Sequence, residues 1–240
     1  MKGDELVEAI GKRGLSLSER ILRRFDWDAV AGFHDFLTEE NERGGFFSKG
    51  DAEKILERHV YECLVFVDYV AERAPVSRET RLCDAGSGPG LPGYLFQCMH
   101  TPPHLTLVDS SRRRLGLLQA YDQRAGARAS FLYARLEELK RKYDVITLRA
   151  LIPFPFNVEL LTGLQDVGGQ IFLSMGHPPQ SEDLRRFGYV SRETLNPPEL
   201  ASLGARTFLH IAKVQKQDSL YPRPWKTIQE EIRSCRESMQ

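Results

Sequence analysis

A short glycine-rich segment in the first half of the chain limits most strongly what the chain can fold into. The segment Asp84-Ala-Gly86-Ser-Gly88-Pro-Gly90-Leu-Pro-Gly93 directly follows the apolar pair Leu82-Cys83. Glycines let the backbone turn sharply and let a ligand approach the amino terminus of a following helix with no side chain in between. The pattern therefore predicts a strand, a tight turn and a helix from about Leu91, with a nucleotide-type binding site at the turn.

From Arg81 onward, short apolar runs alternate with helical patterns, which is typical of a mostly parallel sheet with helices on both faces. The predicted strands are residues 81–85, 105–109, 129–133, 143–149, 170–175 and 206–214. Side chains in the last of these alternate between two faces, which favours the edge of the sheet over its centre. We therefore predict an α/β fold of the Rossmann-like type.

Before about residue 78 the apolar residues recur at helical spacing, in the stretches 27–37 and 56–70. Ser48 and Asp51 are spaced like a capping box at the start of the second stretch. The predicted organisation is an N-terminal helical region (1–77), a binding domain (78–216) and a C-terminal tail (217–240).

The composition excludes several classes of protein. The 33 basic and 33 acidic residues give no net charge, so bulk electrostatics do not favour nucleic acid, although residues 81–150 hold 11 basic and 6 acidic residues. The four cysteines form neither a CxxC pair nor a zinc spacing. Neither an apolar run of about 18 residues nor a signal-peptide pattern is present. We expect a cytoplasmic protein with no membrane segment and no metal.

The residues around the glycines point to a particular cofactor. Gly88, Gly90 and Gly93 also satisfy the dinucleotide pattern GxGxxG, but Asp84 would repel a pyrophosphate there. S-adenosylmethionine has no phosphate and carries cationic groups, so a carboxylate suits it. Asp109, at the end of the second predicted strand, can accept hydrogen bonds from ribose hydroxyls. Either Asp alone could cap a helix, but the two together predict S-adenosylmethionine.

At this point the chain resembles the RsmG/GidB family of 16S ribosomal RNA guanine-N7 methyltransferases over nearly its whole length. The resemblance rests on Asp84 to Gly93, Leu107-Val-Asp-Ser110, Arg149-Ala150, Arg58-His59 and Tyr221-Pro-Arg223. It implies a class I S-adenosylmethionine-dependent methyltransferase fold with an N-terminal helical extension. It also implies 16S rRNA or the small ribosomal subunit as the partner.

The resemblance implies roles for individual residues. Besides Asp84, Asp109 and the loop glycines Gly88 and Gly90, the implied cofactor contacts are Gly86, Leu91, Leu136, Glu137 and Arg149. The implied substrate contacts are Arg58, His59, Arg206 and Arg223. The chain departs from the family at Gly45-Phe46-Phe47, where Asn-Leu-Thr is usual, and at Val60-Tyr61-Glu62-Cys63 after Arg-His, where an Asp-Ser is usual. These departures leave open another target, such as DNA or a small molecule, or a non-catalytic role in ribosome assembly.

Methyl transfer to guanine N7 needs alignment more than acid–base chemistry, because N7 has a lone pair and no proton to lose. After the fourth predicted strand, Ile152-Pro-Phe-Pro155 replaces the motifs used for amine or cytosine-C5 methylation. Arg149, at the end of that strand, is the predicted catalytic residue. It would donate a hydrogen bond to the cofactor carboxylate or to guanine O6, and the alternative is a structural ion pair with Asp84 or Glu137.

Overall fold

One sheet organises the residues that the computed structural model describes, which are 1–44, 46–126, 128–177 and 184–237. Its strands are β1 (Arg81–Ala85), β2 (His104–Asp109), β3 (Ser130–Tyr133), β4 (Val145–Arg149), β5 (Gln170–Met175), β6 (Tyr189–Leu195) and β7 (Thr207–Lys213). The strand order is β3-β2-β1-β4-β5-β7-β6. Neighbours from β3 to β5 are parallel, and β7 is antiparallel to both β5 and β6. The predicted α/β fold with a mostly parallel sheet is confirmed.

The prediction for the edge of the sheet was wrong. The strand at 207–213 pairs on both sides, and the edge on that side of the sheet is β6, which the sequence analysis missed. The polar residues that made β7 look like an edge strand have partners inside the protein. The His210 ring stacks on Phe172 at 4.3 Å, and the buried Lys213 ammonium donates to the carbonyl oxygen of Thr162. Satisfied polar groups therefore allow an alternating sequence in a buried strand.

The N-terminal region is helical, as expected, but its second long helix is interrupted. The helices are α1 (Gly3–Lys12), α2 (Glu19–Arg24), α3 (Trp27–Glu42), α4 (Lys49–Ala52), a π-helical segment (Ile55–Tyr61) and α5 (Glu62–Arg73). Ser48 does not cap the backbone; its hydroxyl donates to Asp51 Oδ2 at 2.6 Å, so the capping-box prediction was wrong. The π-helical segment carries Arg58 and His59, and such segments frequently occur at functional sites.

No long helix follows the glycine loop, contrary to prediction. A 3-10 turn, Gly93–Phe96, stands there instead, because proline and glycine are poor helix formers. The remaining α-helices in the described part of the chain are α6 (Arg112–Ala125), α7 (Phe156–Leu161) and α8 (Trp225–Glu237). Ile228 and Ile232 of α8 are buried, so part of the predicted tail packs on the sheet domain. Among the described residues, none of the helices is long and apolar enough to cross a membrane.

Candidate active site

The glycine loop is fixed against the end of β2. The backbone N–H groups of Gly86 and Ser87 donate to the carbonyl oxygen of Val108 at 2.8 and 2.9 Å. Gly88 N–H donates to Asp109 Oδ2 at 2.8 Å. Gly86 and Gly88 have φ of 73° and 53°, a conformation that glycine adopts without steric cost. The first two strands therefore hold the loop at the carboxyl edge of the sheet.

Asp84 is a buried carboxylate with one committed oxygen. Its Oδ1 accepts from Thr147 Oγ1 at 2.9 Å, while Oδ2 has no hydrogen-bond partner among the described residues. Burial raises the pKa of Asp84 to about 6. A Cβ atom on Gly93 would lie 2.4 Å from the Cβ of Asp84, so only glycine fits there. An orphaned carboxylate oxygen beside the loop suits a cationic ligand group.

Asp109 also has a structural function that the sequence analysis did not foresee. Besides the bond from Gly88, its Oδ1 accepts from Ser111 N–H at 2.7 Å and lies 3.5 Å from Arg114 Nη2. Each carboxylate oxygen has two lone pairs, so Asp109 can hold the loop and still accept from ribose hydroxyls. Its role in cofactor binding stays a prediction.

A cavity of about 240 Å³, here named the cofactor cavity, opens beside this loop. Its lining includes Gly86, Asp109, Leu136 and Glu137, together with residues that the sequence analysis did not predict as cofactor contacts, namely Arg135, Leu151, Ile152 and Trp225. The other predicted contacts are not among the lining residues, namely Asp84, Gly88, Gly90, Leu91 and Arg149. Leu91 is buried in the core, and a Cβ on Gly90 would lie 2.8 Å from Leu118.

A second cavity of about 290 Å³, the arginine cavity, brings together four residues predicted from distant parts of the chain. Its lining includes Arg58, His59, Arg149 and Arg206, and also Glu62, which was not predicted. Arg58 and His59 lie on the π-helical segment, Arg149 ends β4 and Arg206 precedes β7. The convergence gives one surface several guanidinium groups.

Glu62 is the centre of this cluster. Its buried carboxylate accepts from Arg206 Nε at 2.6 Å through Oε2 and from Arg149 Nη1 at 3.4 Å through Oε1. Arg149 therefore pairs with Glu62, and neither Asp84 nor Glu137 is its partner. One signal could have found Glu62, namely an acidic residue one helical turn after Arg58 within an apolar stretch.

His59 is held as a neutral ring. It stacks on Phe47 with 4.1 Å between ring centroids, and its Nδ1 lies 3.0 Å from Arg149 Nη2. Burial, with Arg149 nearby, lowers the pKa of His59 to about 4. Because a guanidinium can only donate, Nδ1 is the acceptor and the ring proton is on Nε2. That Nε2–H is buried and has no partner among the described residues.

The segment after β4 joins the two cavities. Arg149 and Ala150 line the arginine cavity, and the next two residues, Leu151 and Ile152, line the cofactor cavity. Ala150 adopts a φ of 53°, in the left-handed region that non-glycine residues seldom occupy. This turn directs neighbouring residues into adjoining cavities, so a ligand in one cavity lies next to a ligand in the other.

Arg223 lies elsewhere, and part of one predicted loop is not described. The Arg223 guanidinium donates to both carboxylate oxygens of the buried Glu159, at 2.8 and 2.7 Å, and to Glu231 at 2.7 Å. It is not among the lining residues of either cavity. Its substrate role stays a prediction. Of the divergent segment at 45–47, Gly45 lies outside the described residues.

A parallel sheet with a buried carboxylate, a glycine loop and a second carboxylate at consecutive strand ends defines a class I S-adenosylmethionine-dependent methyltransferase. The fold is shared with the crystal structure of magnesium protoporphyrin IX methyltransferase from Synechocystis PCC 6803 with bound SAM, at a TM-score of 0.55 and 20% identity. That similarity covers 82% of this chain and 98% of the other. The cofactor of this chain is S-adenosylmethionine.

More particularly, the chain belongs to the GidB family, rRNA small subunit methyltransferase G, whose family model matches residues 27–190. It is similar to the ribosomal RNA small subunit methyltransferase G of Leptospira biflexa, with 42% identity over 224 residues, 88% of this chain and 89% of the relative. The protein of the same name from Leptospira interrogans is 34% identical over 242 residues, covering 97% of this chain and 94% of the relative. The predicted resemblance is therefore confirmed.

Proposed function

We propose that this enzyme transfers the methyl group of S-adenosylmethionine to N7 of a guanine in 16S ribosomal RNA, in the cytoplasm. The family membership supports ribosomal RNA of the small subunit as the substrate class. The observation that carries the choice of atom is the position of Arg149, which lines the arginine cavity two residues before Leu151 enters the lining of the cofactor cavity. We assign the arginine cavity to the RNA base and the cofactor cavity to S-adenosylmethionine.

Arg149 has donors left for a substrate. Its Nη1 donates to the carbonyl oxygen of Arg58 at 3.2 Å and to Glu62, and one N–H of Nη2 donates to His59. A guanidinium has five N–H groups, so Nε–H and the second Nη2–H remain without a partner among the described residues. In the proposed complex this edge donates to guanine O6, which becomes more negative in character as N7 approaches the methyl carbon.

The chemistry requires that the chain align two reactants, because N7 loses no proton. Glu62 is committed to two arginines, and His59 is neutral and accepts from Arg149, so neither group needs to act as a base. S-adenosylmethionine supplies the electrophilic methyl group when it is bound. Asp84, whose buried Oδ2 has no hydrogen-bond partner among the described residues, would attract the cofactor's ammonium to the loop, and Asp109 would hold its ribose hydroxyls. Holding the reacting atoms about 3 Å apart accounts for much of such a rate enhancement.

The test is methyl transfer from labelled S-adenosylmethionine to small ribosomal subunits and to their isolated RNA, followed by mass mapping of the modified nucleotide. We expect 7-methylguanine in the wild-type reaction and a rate at least about 100-fold lower for Arg149→Ala, as for the loss of other preorganised donors. The exposed Arg78 is the control, and Arg78→Ala should retain full activity. Methylation of DNA, or of a different atom of the RNA base, would refute the proposal.

Kinetics separate the two candidate roles of Arg149. If Arg149 donates to guanine O6, Arg149→Ala lowers kcat and leaves the dissociation constant of S-adenosylhomocysteine unchanged. If it holds the cofactor carboxylate instead, that constant rises by about tenfold or more, as for a charge-assisted hydrogen bond. The proposal expects the first result.

A further inference from the structure

The C-terminal segment contributes an aromatic side chain to the cofactor cavity. Trp225, the first residue of α8, lines this cavity and is partly exposed. The guanidinium carbon of Arg135 lies 4.7 Å from the centroid of its ring. Arg135 directly precedes Leu136 and Glu137, which also line the cavity, and it donates to Glu137 Oε1 at 2.6 Å. The indole is therefore next to the residues that follow β3.

The indole is held in place by contacts that residues before and after Trp225 in the sequence make with the rest of the protein. Two residues earlier, Arg223 makes its double hydrogen bond to Glu159, whose side chain is fully buried. Later in α8, Ile228 and Ile232 are buried against the sheet domain. A tryptophan fixed in this way presents a large flat surface at little further cost in conformational entropy.

We propose that Trp225 forms part of the adenine-binding side of the cofactor cavity and contacts the purine ring of S-adenosylmethionine. In the proposed complex the ribose lies at Asp109, at the end of β2, and the indole lines the same cavity beside the segment after β3. Purines stack on aromatic rings and on guanidinium planes, and Trp225 and Arg135 supply one of each. Arg223 then acts as a positioning residue, through the segment that it anchors. The inference rests on the cofactor and needs no assumption about the methylated nucleotide.

The chain offers a direct optical test, because its two tryptophans lie in different places. Trp27, at the start of α3, donates from its indole nitrogen to the carbonyl oxygen of Leu22 and does not line the cofactor cavity. In Trp27→Phe, all tryptophan fluorescence comes from Trp225, and we expect saturating S-adenosylhomocysteine or 5′-methylthioadenosine to quench it. In Trp225→Phe, the remaining emission should not respond.

Binding affinity gives a second readout, measured by calorimetry without RNA. Loss of one base–aromatic stack predicts about tenfold weaker binding of S-adenosylhomocysteine to Trp225→Ala, with Trp225→Phe close to wild type. Lys226→Ala, which changes the exposed neighbour, should bind normally. An unresponsive Trp225 signal in ligand-saturated Trp27→Phe, or an unchanged affinity in folded Trp225→Ala, would overturn the inference, and the segment would then be assigned to RNA contact or to packing. Neither result depends on whether guanine N7 is the target.

Discussion

The two adjoining cavities are built in opposite ways. The cofactor cavity is lined by two acidic and two basic side chains, and its glycine loop is held mainly by backbone groups at the ends of β1 and β2. The arginine cavity is basic and depends on side chains, with Glu62 joining Arg149 to Arg206. A loop bonded through its backbone tolerates many side-chain changes outside the glycines. A cluster of charges that neutralise one another depends on each member, so the arginine cavity should be the more fragile of the two.

The largest expected effect is the loss of Glu62. Glu62→Ala leaves two partly buried guanidinium groups without their shared counter-charge, so we expect the free energy of unfolding to fall by about 3 kcal/mol. Urea denaturation measures this difference. Glu53→Ala, at an exposed acid before the same π-helical segment, should change stability by less than about 0.5 kcal/mol. An equally small effect of Glu62→Ala would contradict the expectation that the arginine cavity is the more fragile of the two.

Two glycines of the loop beside the cofactor cavity, Gly86 and Gly88, form a matched pair. A Cβ on Gly86 would lie 2.4 Å from Leu151 Cδ1, whereas a Cβ on Gly88 would meet nothing within 4 Å. Both have positive φ, so each alanine variant carries backbone strain of about 1 kcal/mol. Gly86→Ala should lose about 1 kcal/mol more through overpacking. Thermal or urea unfolding of Gly86→Ala with and without Leu151→Ala measures that coupling, and strict additivity would exclude the contact as its cause.

Asp84 predicts a pH dependence of cofactor binding. Its pKa is raised to about 6, so the carboxylate is charged above that pH and increasingly protonated below it. The ammonium group of the ligand prefers the charged form, so the affinity for S-adenosylhomocysteine should be constant just above about pH 7. Below pH 6 it should fall by up to tenfold per pH unit. Calorimetry from pH 5 to 8 tests this, and Asp84→Asn should bind more weakly at pH 8 with no step near pH 6. A step that persists in Asp84→Asn would assign the titration to another group.

The smallest effect is expected on the surface outside both cavities. Lys140 and Arg141 are exposed and lie between β3 and β4 in the sequence. The neighbouring Lys142 instead donates to the carbonyl oxygen of Gly163 at 2.7 Å. If the first two contact RNA phosphates, each change to alanine should weaken RNA binding a few-fold. Each should also reduce the slope of log affinity against log salt by about 1. Lys142→Ala should leave the slope unchanged. Slopes equal to that of the wild type for the Lys140 and Arg141 variants would place the RNA backbone elsewhere.

The sequence was most informative where function depends on local backbone geometry. Asp84, the glycines and Asp109 occupy consecutive strand ends, and parallel strands bring such ends to one edge of a sheet. It was less informative where packing decides. The helix expected after Leu91 is a short 3-10 turn, and the expected edge strand pairs on both sides. In both places the observed structure depends on neighbours that no local pattern contains.

The sequence by itself determined the fold class, the cofactor and the family, because the strand, the turn and the carboxylates of the motif lie within a short stretch of chain. Only the tertiary structure decided how the distant residues combine. Glu62 joins Arg149 to Arg206, which lies 144 positions after Glu62 in the sequence. Arg223 pairs with Glu159, and Trp225 reaches the cofactor cavity. The physical reason is that a charge or an aromatic ring has no fixed partner along the chain; burial selects that partner only when the helices and the sheet pack together.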